Sequence, residues 1–241
     1  MNCRMGTWGR MRLKILAGLS ITALLFASGE AEAGQSVAYK SSWTGFHAGI
    51  TGGYGWGHSE LSAIVQGVSE DGNADLHGGM IGGLAGYDYD FGNGIVAGVV
   101  GDWSWSGING GGCIHPSGIS CATSQADMNV DLNWLATARL KAGYKLNDDF
   151  LIYATGGLAF GGVDVSVHSP LFHGSDAQTQ VGWALGGGVE YRISEPVTIG
   201  LEYLYVDLGK KSYDFSNDHG HAQGDLKLNT QLLRATLQWR F

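Results

Sequence analysis

The chain has 241 residues, 41 of them glycine and only 3 proline, and a formal net charge of −8. So much glycine without a triplet period excludes both an ordinary globular composition and a collagen-type helix. The acidic balance argues against nucleic acid as a partner, and no apolar run after Gly34 approaches the ~20 residues a membrane helix requires.

At the N-terminus, Arg4, Arg10, Arg12 and Lys14 precede an apolar stretch from Ile15 to Ala27, and the small-x-small run Ala31-Glu32-Ala33 follows. Basic segment, short apolar segment and cleavage site in that order make residues 1–33 a secretory signal peptide. The mature chain is expected to begin at Gly34; shedding four basic and two acidic residues leaves it at −10. Residues 34–42 read as a short N-terminal extension and 43–241 as a single barrel domain.

Eight strands are predicted, at 43–57, 76–90, 95–106, 129–145, 150–165, 179–193, 197–207 and 226–241, each from a period of two in its side chains. The connections alternate in length. Residues 90–94, 147–149 and 194–196 are tight turns rich in Asn, Asp, Gly and Pro, whereas 58–75, 107–128, 166–178 and 208–225 are long polar loops. The fold class expected is therefore all-β: an eight-stranded antiparallel up-and-down transmembrane β-barrel with short periplasmic turns and long outer loops.

One face of the strands carries no charge. It is made of residues such as Phe46, Ile50, Tyr54 and Trp56 on strand one and Val197, Ile199, Leu201 and Tyr203 on strand seven, with aromatics near the ends and aliphatics between. That sorting by depth fits an apolar belt between two interfacial girdles. The other face is glycine and charge, as in Gly45, His47, Gly49, Thr51 and Gly53, and is read as a polar, largely filled lumen, because eight strands leave room only for side chains. Asp102, Arg139, Glu202 and Arg234 fall at similar depth, and buried charges are expected to pair: Asp102 with Arg139, and Glu202 with Arg234. Lys141 and Glu190 extend this network toward the periplasmic end. On the last strand Arg234, Thr236, Gln238 and Arg240 face the lumen, but Leu226 and Leu228 break the parity, which suggests a bulge above Leu232.

Cys113 and Cys121, in a Gly-rich segment with Pro116 and Ser117 between them, read as a loop-tip disulfide formed in an oxidising compartment. Closing so short a loop is worth about 2–3 kcal/mol, enough to shape the loop but not to hold the fold.

The segments Trp43-Thr-Gly-Phe-His-Ala-Gly49, Gly53-Tyr-Gly-Trp-Gly57, Ala85-Gly-Tyr-Asp-Tyr-Asp-Phe91, Gly101-Asp-Trp-Ser-Trp105, Tyr153-Ala-Thr-Gly-Gly-Leu-Ala159, Gly186-Gly-Gly-Val-Glu-Tyr191 and Glu202-Tyr-Leu-Tyr-Val-Asp-Leu-Gly209 together resemble the opacity-type and outer-membrane immunogenic protein family over essentially the whole mature chain. The sequence departs from that pattern at Val100, where relatives often carry an inward Glu. The resemblance implies an eight-stranded, porin-like barrel in the outer membrane of a Gram-negative bacterium, often abundant and antigenic. The C-terminal Trp239 and Phe241 resemble the terminal signature that the barrel-assembly machinery reads.

No catalytic residue, cofactor or metal is assigned. Seven histidines (His58, His77, His115, His168, His173, His219 and His221) lie in or beside the outer loops, with Asp176, Asp214 and Asp218 nearby, but no Gly-x-Ser-x-Gly elbow accompanies them. His219-x-His221 supports adventitious metal binding at most. Gly92-Asn-Gly94-Ile-Val-Ala97 matches a dinucleotide fingerprint, yet it opens a strand where that fingerprint must open a helix. The reading favoured is a structural surface barrel, whose partners are outer-membrane lipid, the assembly machinery and lipopolysaccharide. Divalent cations would bridge the last of these to Glu60, Glu70, Asp71, Asp75 and Asp127. A narrow diffusion pore, or an adhesin binding a surface ligand through its loops, are the alternatives.

Overall fold

A computed structural model describes residues 42–65, 68–116, 126–169, 172–217 and 220–241. The expected signal peptide, nearly all of the 34–42 extension and the Cys113–Cys121 bridge lie outside these residues. Eight strands follow one another: β1 (Gly45–Val65), β2 (Val68–Asp90), β3 (Ile95–Pro116), β4 (Ala126–Lys145), β5 (Phe150–Ser169), β6 (Phe172–Ser194), β7 (Val197–Asn217) and β8 (Gly220–Arg240). Each pairs antiparallel with the next, and β8 returns to β1 to close the barrel. Closure removes both sheet edges, so each strand of the wall has a hydrogen-bonding neighbour on either side.

Side chains make the short turns. Asp90 accepts the Gly92 N–H at 2.9 Å and Asn93 the Ile95 N–H at 3.2 Å, while Gly92 and Gly94 take φ of 80° and 91°, the left-handed region open to glycine. Asn147 accepts the N–H groups of Asp149 and Phe150 at 2.9 and 2.8 Å.

At the other end the strands run much further than their side-chain pattern predicts. Residues expected to be loops continue the ladder, so that β1 and β2 pair from His58↔Asp75 out to Val65↔Val68. Polar residues at consecutive positions erase the inside–outside alternation that marks a strand in a sequence, but they do not prevent backbone pairing, which satisfies N–H and C=O whatever the side chains are.

The outward face carries the apolar belt. Ile50, Ile81, Val99, Leu140, Leu185 and Leu201 are all exposed at mid-height. Aromatic rings flank them on both sides: Phe46 lies 4.8 Å from Tyr87, and Tyr89 lies 4.9 Å from Phe91, near the short turns, while Trp103 and Trp105 (4.2 Å) and Trp183 and Tyr205 (5.4 Å) stand toward the long hairpins.

Two sequence expectations about the interior change. The β1–β8 ladder runs without a register shift from His47↔Arg240 to Ile64↔Gln223, so β8 has no bulge above Leu232. Leu228 and Leu232 are buried on the same inner side as Arg234. The parity is intact; it is the chemistry of the lumen that changes. Its half nearest the long hairpins is filled by Leu76, Met80, Ile108, Val130, Leu132, Leu135, Val163, Leu204, Val206, Leu208, Leu228 and Leu232, so the lumen expected to be polar is largely apolar in that half, with the buried Ser59, Gln180 and Thr230 among the leucines and valines. The sequence reading took leucine on a lumen position as a break in phase because it assumed a single chemistry for the whole inner face. Ladder shifts do occur at Trp105/Ile108, Leu132/Trp134, Arg192/Ser194 and Asp207/Lys210.

The two faces make an inside–outside prediction. Leu204 is fully buried and Leu201 is half exposed on the outer wall, so Leu204→Ala should cost about 2–5 kcal/mol through lost contacts and a cavity. Leu201→Ala, which opens no cavity, should cost less. Urea titration of the protein folded in lipid vesicles measures both, and equal losses would contradict the packed interior.

Candidate functional site in the barrel lumen

The charged half of the lumen is built in two layers, and the ladder register explains how large side chains fit there. Across the wall from Arg234 stands Gly53, from Arg139 Gly157, from Glu202 Gly188, and from Glu190 Gly200. Each glycine leaves the volume its charged neighbour needs: a Cβ at Gly53 would lie 2.4 Å from the Leu233 carbonyl oxygen and 3.0 Å from Cγ of Arg234.

In the layer nearer the middle, four charges alternate in a closed ring. Arg139 reaches Asp102 at 2.9 Å and Glu202 at 3.0 Å. Arg234 reaches Asp102 at 2.8 Å and closes the ring on Glu202. The sequence-derived pairs Asp102 with Arg139 and Glu202 with Arg234 are both present, and each arginine also bridges to the other pair's acid. Thr137 donates to Asp102 at 2.5 Å and accepts from Arg139 Nε at 2.8 Å, and Tyr153 donates to Glu202 at 3.0 Å. All four charged side chains are almost wholly shielded from solvent. Each guanidinium thus bridges two carboxylates, and these charge-assisted bonds offset the cost of taking the charges out of water.

The layer toward the short turns is centred on Asp88. Lys141 contacts it at 3.1 Å and Glu190 at 2.9 Å; Arg240 also reaches Asp88, at 3.0 Å, and His47 Nδ1 lies 3.6 Å away. Lys141 sits 4.9 Å over the ring of Tyr153, so this one tyrosine links the two layers. Lys141 and Glu190 thus come together, but their partners Asp88 and Arg240 were not singled out in the sequence. The parity of β2 and β8 puts both on the lumen face; what was missing was the depth at which they meet.

Beneath this layer the segment before β1 turns inward as a stopper. Trp43 is fully buried, with the guanidinium groups of Arg192 and Arg240 at 4.6 and 5.1 Å from its ring and its indole N–H donated to the Asp148 carbonyl at 3.1 Å. Arg240 and Arg192 hold the carbonyls of Trp43 and Ser42 at 2.6 and 3.1 Å. Nothing local in the sequence marks Trp43 for this role, because it continues the pattern of strand one.

The remaining sequence candidates lie elsewhere. Trp239 and Phe241 face outward, and the Phe241 N–H pairs with Phe46 O at 2.8 Å, extending the closing ladder to the last residue. His58 Nδ1 and Asp75 Oδ1 stand 2.6 Å apart on the exposed side, but the adjacent Ser59 points inward and donates to the Ala74 carbonyl. Among the described residues no three His, Cys, Asp or Glu side chains are grouped to hold a metal ion.

The ring predicts non-additive mutational costs. Glu202→Gln leaves Arg139 and Arg234 to share Asp102 and should destabilise by about 3–5 kcal/mol. Glu202→Leu combined with Arg234→Met removes one charge of each sign and should cost less than the sum of the two single changes. A double-mutant cycle by urea unfolding in vesicles reads this directly.

A family model described as an outer membrane protein beta-barrel domain matches residues 19–241. The chain is 33% identical over 211 residues to the 31 kDa outer-membrane immunogenic protein of Brucella melitensis biotype 1, covering 83% of this chain and 84% of that one. It is 31% identical over 192 residues to the 22 kDa outer membrane protein of Rhizobium leguminosarum bv. viciae, covering 78% and 76%. Among solved structures, the outer membrane protein OprG from Pseudomonas aeruginosa superposes with a TM-score of 0.54 at 12% identity over 84% of this chain and 99% of that chain, a likeness of fold. With a closed eight-stranded antiparallel barrel and relatives that are themselves outer-membrane proteins, the chain belongs to the outer membrane protein β-barrel family that includes the outer-membrane immunogenic proteins.

Proposed function

We propose that this protein is a structural surface barrel of the outer membrane whose lumen is closed to ions and polar solutes. The observation that carries this reading is the Asp102–Arg139–Glu202–Arg234 ring across the lumen, backed by the apolar filling on one side and the Trp43 stopper on the other. A hydrated ion would have to cross the leucine and valine filling and then break paired charges, both of which cost several kcal/mol. The long hairpins are the parts left to meet the surroundings. Their carboxylates, at Glu60, Glu70, Asp71, Asp75 and Asp127, suit divalent-cation bridges to lipopolysaccharide. A chemical step is not part of this reading, since the exposed His58–Asp75 pair has no hydroxyl from Ser59 turned toward it.

Single-channel recording of the refolded mature chain in a planar bilayer tests the closure. The parent should give no stable conductance, and Arg234→Ala, which opens the ring and leaves Arg139 alone to face Glu202 and Asp102, should leak. A steady, ion-selective conductance in the parent would overturn the sealed-barrel reading and make the protein a narrow porin.

A further inference from the structure

Seven of the eight seams of the barrel join strands that follow one another in the chain. The eighth joins the last strand, β8, to the first, β1, and has no turn of its own. At the short-turn end of that seam the chain before β1 bends at Gly45. Its φ of 146° favours glycine, and a Cβ there would lie 2.6 Å from the Phe241 carbonyl oxygen. The bend carries Trp43 under the lumen, where it is fully buried.

From there the segment touches strand ends around most of the mouth. On the seam itself β8 supplies Arg240, which holds the Trp43 carbonyl at 2.6 Å and sets its guanidinium 5.1 Å from the indole ring. Arg240 also reaches past β1 to Asp88 of β2 at 3.0 Å. Away from the seam, the indole packs with Val96 of β3 and Leu151 of β5. Its N–H goes to the Asp148 carbonyl in the β4–β5 turn at 3.1 Å, and the Arg192 guanidinium of β6 lies 4.6 Å from the ring. Thr44 accepts the Asp90 N–H at the end of β2 at 2.9 Å.

A seam held by its ladder alone frays pair by pair from its end. Here the end pairs part only if Arg240 leaves both Trp43 and Asp88, and Trp43 cannot follow Arg240 because β3, β5 and β6 hold the ring.

We propose that residues 42–45 are a latch on barrel closure: with Trp43 seated in the mouth the β1–β8 seam does not open from the short-turn end, and release of Trp43 is the step that frees it. The side chain suits the task, since its ring faces two guanidinium groups while its N–H reaches the opposite turn. This role is separate from stopping ions. Conductance reads the stopper, seam opening reads the latch, and either can fail alone.

The test follows unfolding rates in urea by far-UV circular dichroism, using the mature chain folded in phospholipid vesicles in a Cys113→Ser/Cys121→Ser background. Trp43→Ala should unfold about tenfold faster than its parent, and Trp43→Phe, which keeps a ring and loses the bond to Asp148, by a smaller factor. Added cysteine pairs then locate the effect. Ile50→Cys/Leu237→Cys spans the β1–β8 seam on the lipid-facing side, and Val99→Cys/Leu140→Cys spans β3–β4 in the same way. A short bis-methanethiosulfonate bridges either pair and reductant releases it. The β1–β8 bridge should erase the difference between Trp43→Ala and its parent, while the β3–β4 bridge should leave it; Trp43→Phe takes the same two bridges if Trp43→Ala does not assemble. Unfolding no faster than the parent, a difference that survives the β1–β8 bridge, or one that both bridges erase would overturn the latch and leave Trp43 a packing residue.

Discussion

Eight strands closed on themselves enclose a space that side chains alone can fill, and this constraint governs the rest of the molecule. Every inward position must be either small or matched to what stands opposite. Hence Gly53 faces Arg234, Gly157 faces Arg139 and Gly188 faces Glu202 across the ladders. Part of the high glycine content is thus a consequence of burying long side chains in a narrow tube, charged at Gly53 and apolar at Gly55 and Gly161.

The same narrowness decides the electrostatics. In a wide, water-filled barrel a lone Arg234 would be solvated; here it is almost wholly shielded, so its neighbours must supply what water would have supplied. Two carboxylates and two guanidinium groups in alternation supply much of it, with Thr137 and Tyr153 adding further bonds. The second layer repeats the solution around Asp88, and Tyr153 couples the two by giving its hydroxyl to Glu202 and its ring face to Lys141. Toward the outside the interior turns to leucine and valine, which fill space without needing partners. An interior of two chemistries stacked along one axis gives its halves different kinds of cohesion: ion pairs and hydrogen bonds in one, mainly dispersion contacts in the other.

Much of the fold was legible along the chain. The eight strands, the faces they present, the short turns at 90–94 and 147–149 and the pairing of Asp102 with Arg139 and of Glu202 with Arg234 follow from a period of two, from turn chemistry and from counting depth. The strand ends beyond Gly57 and before Leu76 did not, because polar residues stand on both faces there, Ser59 inside and His58 and Asp75 outside, and leave no apolar–polar alternation to read. Leu228 was misread as a change of phase when it was a change of filling.

What the sequence determined by itself is therefore local and periodic: strand spacing, the apolar belt, and which positions face the lumen. Only the tertiary structure decided which lumen residues meet. Asp88 and Arg240 are 152 positions apart in the chain, and Arg240 reaches Trp43 across 197. Those distances collapse only when β8 pairs with β1, since barrel closure joins the two ends of the sequence at one level of the tube. The ladder shift at Asp207/Lys210 belongs to the same category, because an extra residue has no meaning until there is a partner against which to count it.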